Sequence, residues 1–211
     1  GGRGGTYGTG GYLARILDQR GEAYLNAGAS GERYTQLDGL WDARIGTLAA
    51  YCDRAIVGYC INDLMAYTAT QNANAFIERW HGLLQRGLRV WQVTVLPRTN
   101  ADVTVPDTGS GRDAERAAWN AWLRDGAPGW WQAQYGRWQA SPTGSTAADT
   151  VRIGGTDPAG GPHPLAGVLD VAAIASPPGS PDVWRTGWTQ DGVHPSPTGH
   201  AGLAAALDLP A

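Results

Sequence analysis

The sequence predicts an α/β fold, a parallel sheet with helices on both faces in three α/β/α layers. Three observations carry that expectation. Segments with apolar residues at helical spacing alternate with short strand-like runs. One run, residues 55–61 (AIVGYCI), is apolar throughout, as a parallel strand covered on both faces would be. Gly21, Gly87 and Pro97 punctuate the changes of pattern.

The elements follow in order. Residues 12–19 place Leu13, Ile16 and Leu17 on one helical face, and Gly21 stops the helix. Residues 22–26 read as a short strand entering the turn Gly28-Ala29-Ser30-Gly31. Residues 34–52 are helical by pattern, with Leu37, Leu40, Trp41, Ile45, Leu48 and Ala49 on one side. After the run 55–61 come Asn62-Asp63, then an amphipathic helix over 71–86. Residues 88–96 alternate and are rich in β-branched side chains, which predicts a second strand. A helix is expected over 112–124, a last short strand over 167–171 and a closing helix over 200–207. Between them, residues 126–164 hold Trp130, Trp131 and Trp138 among many Gly, Pro, Ser and Thr, and read as an irregular surface insertion. The whole chain, 1–211, is expected to form a single domain.

A net charge of −3 leaves no electrostatic footprint for nucleic acid. All sixteen basic residues are Arg, scattered rather than clustered, which reads as codon bias. No apolar stretch approaches the ~20 residues of a membrane span. The N-terminus carries no signal-peptide pattern, so secreted and cytoplasmic locations both stay open. Cys52 and Cys60 flank a strand-like segment that would hold them apart, so two free thiols are expected. No His, Asp or Glu grouping has metal-ligand spacing, and no cofactor or metal is expected. Of the tryptophans, Trp41, Trp80, Trp91, Trp119 and Trp122 fall on core faces, while Trp130, Trp131 and Trp138 could line an acyl or sugar site. His81 and His163 read as surface residues, and His200 as one that packs or caps.

Chemistry concentrates near the C-terminus, in Asp191-Gly192-Val193-His194-Pro195, with Gly199-His200 opening the last helix. An Asp three residues before a His can bond Nδ1–H, fix the tautomer and leave Nε2 as a general base. The D-x-x-H spacing alone also fits ordinary turn residues, and Asn62-Asp63 alone also fits a helix cap. The longer end string resembles the last conserved block of the SGNH (GDSL-like) hydrolases. Two further blocks agree in order: Asn26-Ala27-Gly28-Ala29-Ser30-Gly31 resembles that family's Asn-x-Gly-x-Ser-Gly turn. Cys60-Ile61-Asn62-Asp63 resembles its Gly-x-Asn-Asp, with Cys60 in place of the glycine.

The resemblance implies a flavodoxin-like parallel sheet and a serine ester hydrolase. His194 would act as base, Asp191 as its orienter, and Gly31 N–H and the Asn62 side chain as oxyanion donors. Trp184 and Trp188, just before the Asp-His loop, would line the substrate. The substrate would be a small-molecule, carbohydrate or lipid ester. The family's Gly-Asp-Ser block is absent, and none of the seven serines has its neighbours. The nucleophile and the first strand are therefore expected upstream of Gly1, leaving the chain inactive without them. Two other readings compete. One is a non-catalytic SGNH-like module binding a glycan or protein; the other is an unrecognised nucleophile such as Ser30.

Overall fold

A computed structural model describes residues 11–28, 31–37, 41–100, 105–107 and 112–210. The chain forms two compact units. One comprises Gly1–Glu32, Val95–Asp113 and Asp170–Ala211; the other comprises Arg33–Thr94 and Ala114–Leu169.

The second unit contains the parallel sheet. Its strands are β1 (Arg54–Val57), β2 (Arg89–Val93) and β7 (Gly167–Leu169), in the order β1-β2-β7. Ile56 lies opposite Trp91, and Gln92 opposite Val168. The central strand is buried from Val90 to Val93, as its apolar run requires. Its one buried polar residue, Gln92, is fully used. Its Oε1 accepts the Trp80 indole N–H at 3.2 Å, and its Nε2 donates to Tyr59 O at 3.2 Å and Val93 O at 2.9 Å.

Between β1 and β2 runs the crossover helix α3 (Ala69–Leu84); a three-residue turn, α2 (Thr47–Ala49), and α1 (Tyr12–Arg20) precede it. Thr68 opens α3 with a capping box: its Oγ1 accepts Gln71 N–H, and Gln71 Oε1 accepts Thr68 N–H. Phe76, Ile77, Trp80 and Leu83 form its buried stripe. They meet Trp119, Trp122 and Leu123 of α4 (Arg112–Arg124), with Trp80 stacked on Trp122 and Phe76 edge-on to Trp119. Trp80, Trp91, Trp119 and Trp122 are buried as their spacing assigned them, whereas Trp41, expected on a core face, is only half-buried in its π-helical turn.

Three expectations change in this unit. The helix over 34–52 is a 3₁₀ turn (Tyr34–Leu37), a π-helical turn (Trp41–Gly46) and the short α2. Gly46 and the β-branched Ile45 and Thr47 lower the helix propensity of this stretch. Residues 126–164 are irregular only in part: they hold antiparallel pairs β3 (Gly129–Gln132) with β4 (Arg137–Ala140), and β5 (Thr156–Asp157) with β6 (Gly161–Pro162), while 141–155 between them carry turns. Trp138 is buried there against Trp131 and His163. His163 is buried too, at 4% exposure, its Nε2–H donating to Ala127 O and its Nδ1 accepting Leu165 N–H. Nothing in a Gly-Pro-His-Pro string announces that tertiary pairing.

The first unit packs α1 against α6 (Pro197–Ala206), and the short α5 (Val171–Ala175) against α6. Tyr12 stacks on His200, while Arg20 holds Leu209 O and the Asp208 carboxylate. The expected strand over 22–26 is not one: this segment has no ladder partner among the described residues, and a strand exists only through pairing. The closing helix starts at Pro197, earlier than expected. Ser196 caps it by accepting Gly199 N–H, and Pro197 supplies a preformed first turn.

Cys52 is exposed and Cys60 buried, and both are free thiols. Among the described residues no helix is long and apolar enough to cross a membrane.

Candidate active site

The loop between Trp184 and Ser196 is built by its own side chains. Asp191 Oδ1 accepts the backbone N–H groups of Val193 (2.9 Å) and His194 (2.7 Å), which closes a tight turn. The other carboxylate oxygen, Oδ2, lies 2.7 Å from His194 Nδ1. Thr189 braces the turn from beneath: its hydroxyl donates to His194 O at 2.8 Å and accepts Gly192 N–H at 3.0 Å. Partial desolvation pulls the Asp191 carboxyl upward. The His194 backbone N–H, the imidazole and the Val193 N–H outweigh it and hold the group well below its usual value. Asp191 is therefore ionised across the neutral range, a fixed acceptor for Nδ1–H.

Both side chains remain in contact with solvent, at 60% exposure for His194 and 56% for Asp191. The loop beneath them is buried. Trp184 is 4% exposed, and its indole N–H donates to Gly192 O at 3.0 Å. Thr99, also 4% exposed, donates its backbone N–H to the same oxygen at 2.9 Å. Gly192 has φ +76°, and a Cβ there would stand 2.4 Å from Thr99 O, so only glycine fits. Trp188 is half-buried, under the guanidinium of Arg185 and against Gly202.

His200 packs, as its place in the sequence suggests: besides its stack on Tyr12, burial, then the charges of Arg15 and His194, lower its basicity.

The other expected donors lie as follows. Gly31 is exposed, in the same unit as the Asp-His loop, with φ +75°; upstream, Asn26 Oδ1 accepts Gly28 N–H. Ser30 is outside the described residues. Asn62 belongs to the sheet unit, in the turns that follow β1. Because Thr68 caps α3, Asn62-Asp63 are not that helix's cap. Asp63 is fully buried and accepts Tyr34 N–H at 3.0 Å. Cys60 has φ +125°, a conformation that favours glycine, while its side chain is 1% exposed. Glycine would be the unstrained residue at this position, and the buried thiol occupies it against the backbone's preference. Among the described residues no group of three His, Cys, Asp or Glu side chains could hold a metal ion.

Sequence reading missed Thr99, Thr189 and the role of the Trp184 indole. Thr189 offered a signal, being a hydroxyl residue two positions before Asp191. Thr99, 93 residues from Gly192, offered none.

No protein-family model matches this chain, and no curated protein does. Among solved structures it is similar to a candidate acylhydrolase from Bacteroides fragilis, with TM-score 0.54 and 15% identity over 90% of this chain and 74% of that one. It is also similar to a GDSL-like lipase from Bacteroides thetaiotaomicron, with TM-score 0.54 and 13% identity over 90% of this chain and 75% of that one. Likeness at these identities is a likeness of fold, and the chain carries the α/β/α fold of the SGNH/GDSL-type hydrolases.

Proposed function

We propose that this chain is part of a serine ester hydrolase in which Asp191 and His194 are the acid–base pair. The observation that carries the reading is the 2.7 Å contact between Asp191 Oδ2 and His194 Nδ1 on an exposed imidazole. It leaves Nε2 available to a hydroxyl.

In this reading a serine Oγ adds to the ester carbonyl as Nε2 takes its proton. Asp191 stabilises the resulting imidazolium without taking the proton itself. The Gly31 N–H, in the same unit, donates to the developing oxyanion, a contact worth ~2.7–4 kcal/mol in comparable sites. The C–O bond then breaks, the alcohol leaves with the Nε2 proton, and water repeats the sequence to free the acid. Trp188 stands beside the loop as a wall; Trp184 stands behind it.

The serine is expected in a Gly-Asp-Ser block, which the 211-residue sequence lacks. The hydroxyls of Ser145, Ser176 and Ser196 are engaged by Thr150, Pro181 O and Gly187 O. The test is to read the coding sequence immediately upstream of Gly1 and express it in frame with this chain. Hydrolysis of p-nitrophenyl acetate that vanishes in His194→Ala supports the reading. An upstream segment without a serine, or activity that survives His194→Ala, overturns it and moves the glycan- or protein-binding alternative to the front. Fluorophosphonate labelling of the 211-residue chain detects any nucleophile within it, Ser30 included.

A further inference from the structure

The exposed Asp191–His194 pair has little packing of its own, so its geometry is inherited from the backbone beneath. Besides the bonds of Thr189 and of Asp191 itself, that backbone is tied to more distant segments at the carbonyl oxygen of Gly192. Two donors from different segments converge on it, Trp184 Nε1–H at 3.0 Å and Thr99 N–H at 2.9 Å. The Thr99 segment is itself braced against residues 105–107. Thr99 bridges Pro106, Asn100 N–H donates to Val105 O and Asp107 N–H to Arg98 O, and the Arg98 guanidinium pairs with the Asp107 carboxylate at 3.0 Å. The fit is close, since Gly192 leaves no room for a methyl group between itself and Thr99 O.

We propose that Trp184 and the paired segments 98–100 and 105–107 are positioning elements for the Asp191–His194 pair, acting through the Gly192 carbonyl. Trp184 touches neither the imidazole nor the carboxylate; it fixes the turn whose Cα atoms carry them. Loss of its indole N–H frees one side of the carbonyl and loosens the turn. The Oδ2–Nδ1 bond then ceases to select the Nδ1–H tautomer. The catalytic meaning of this rests on the ester hydrolase reading; the positioning itself does not.

The test needs no activity. Histidine-selective ¹⁵N labelling of the 211-residue chain, at about pH 9 where ordinary imidazoles are neutral, reports each ring's tautomer from its nitrogen shifts. The parent chain is expected to show His194 as the Nδ1–H tautomer. Trp184→Phe keeps the ring and deletes the donor; it is expected to move His194 toward the Nε2–H form, while His163 in the other unit keeps its shifts. Asp107→Asn, which opens the Arg98 pair on a partly exposed surface, is expected to move His194 the same way, and it decides the matter alone if Trp184→Phe does not fold. An unchanged His194 tautomer in the folded variants overturns the proposal. In an esterase-active form, Trp184→Phe should lower kcat by ~10–100-fold with KM nearly unchanged, the scale of a misplacement of about 1 Å. A tautomer shift without esterase activity in any form would sink the functional reading and leave the positioning intact.

Discussion

Asp191 and His194 are bonded twice over: Oδ2 meets the imidazole Nδ1 at 2.7 Å, and Oδ1 accepts the His194 backbone N–H at 2.7 Å. The second bond makes the first possible, because it folds the chain so that the ring returns over its own orienting carboxylate. Asp191→Asn keeps the shape but offers Nδ1 an amide, which can present a donor and so reverse the tautomer. In an esterase-active form this change is expected to reduce kcat by up to ~10⁴-fold, the loss seen when a comparable triad loses its carboxylate. Both side chains are more than half exposed, so chemical denaturation should show a stability change of no more than ~1 kcal/mol.

His163 sets a pH dependence unrelated to the site. Burial lowers its pKa, against the opposing hydrogen bonds to Ala127 and Leu165, so the folded state holds it neutral. The unfolded state therefore binds more protons below about pH 6.5, and stability rises with pH there. Its contribution is complete above that value and is lost as pH falls toward the folded pKa. His81 and His200, also lowered, act with the same sign. The urea midpoint is expected to fall between about pH 7 and about pH 5, with a shallower fall in His163→Gln. An equal slope in both proteins would show that His163 is not buried as a neutral ring.

The last helix requires glycine where Trp188 crosses it. A Cβ on Gly199 would stand 2.2 Å from the Trp188 carbonyl oxygen, and one on Gly202 would stand 2.2 Å from its ring carbon Cζ2. The first obstacle is backbone and cannot swing aside. Gly199→Ala is expected to cost about 2 kcal/mol or more, lowering the melting temperature by roughly 4–8 °C. Gly58→Ala, with nothing within 4 Å of the added methyl, is the comparison and should change it little.

Cys60 inverts a familiar ranking. At φ +125° any residue with a Cβ is strained, by ~1–3 kcal/mol. Cys60→Ala loses the buried sulfur and keeps the strain, whereas Cys60→Gly loses the sulfur and relieves it. Urea titration is expected to rank Cys60→Gly above Cys60→Ala, the reverse of the order in regular elements.

The same residue controls thiol chemistry. Burial, reinforced by the Asp63 charge, pushes the Cys60 thiol well up, and Cys52 is exposed. An aromatic disulfide reagent is expected to titrate one thiol promptly in the native chain and the second only on unfolding. Prompt release of both would mean that the turn after β1 opens readily.

What could be read from residues alone was whatever depends on neighbours close in sequence. The α3 and α4 helices follow from apolar spacing, since helix hydrogen bonds close within four residues, although α3 begins and ends two residues earlier than its spacing suggested because Thr68 caps it. The Asp191–His194 pair was legible for the same reason: three positions separate its members, and a turn is enough to join them. Cys60 in place of a glycine stood out as a departure, and the positive φ there supplies the physical reason a glycine would be preferred.

Tertiary structure alone decided the rest. Whether residues 22–26 become a strand depends on a partner, and no property of Glu22-Ala23-Tyr24-Leu25-Asn26 supplies one. The hairpins within 126–164 looked irregular because their strands are only two to four residues long, too short for alternation to show. His163 keeps its ring N–H satisfied in the interior only because Ala127 O, 36 residues away, receives it, and burial holds the ring neutral. The bond from Thr99 to Gly192 O joins two segments that no local pattern relates. Sequence set the chemistry of Asp191 and His194, and the fold set the backbone atom that holds them in place, because a hydrogen bond across 93 residues exists only after the chain has closed.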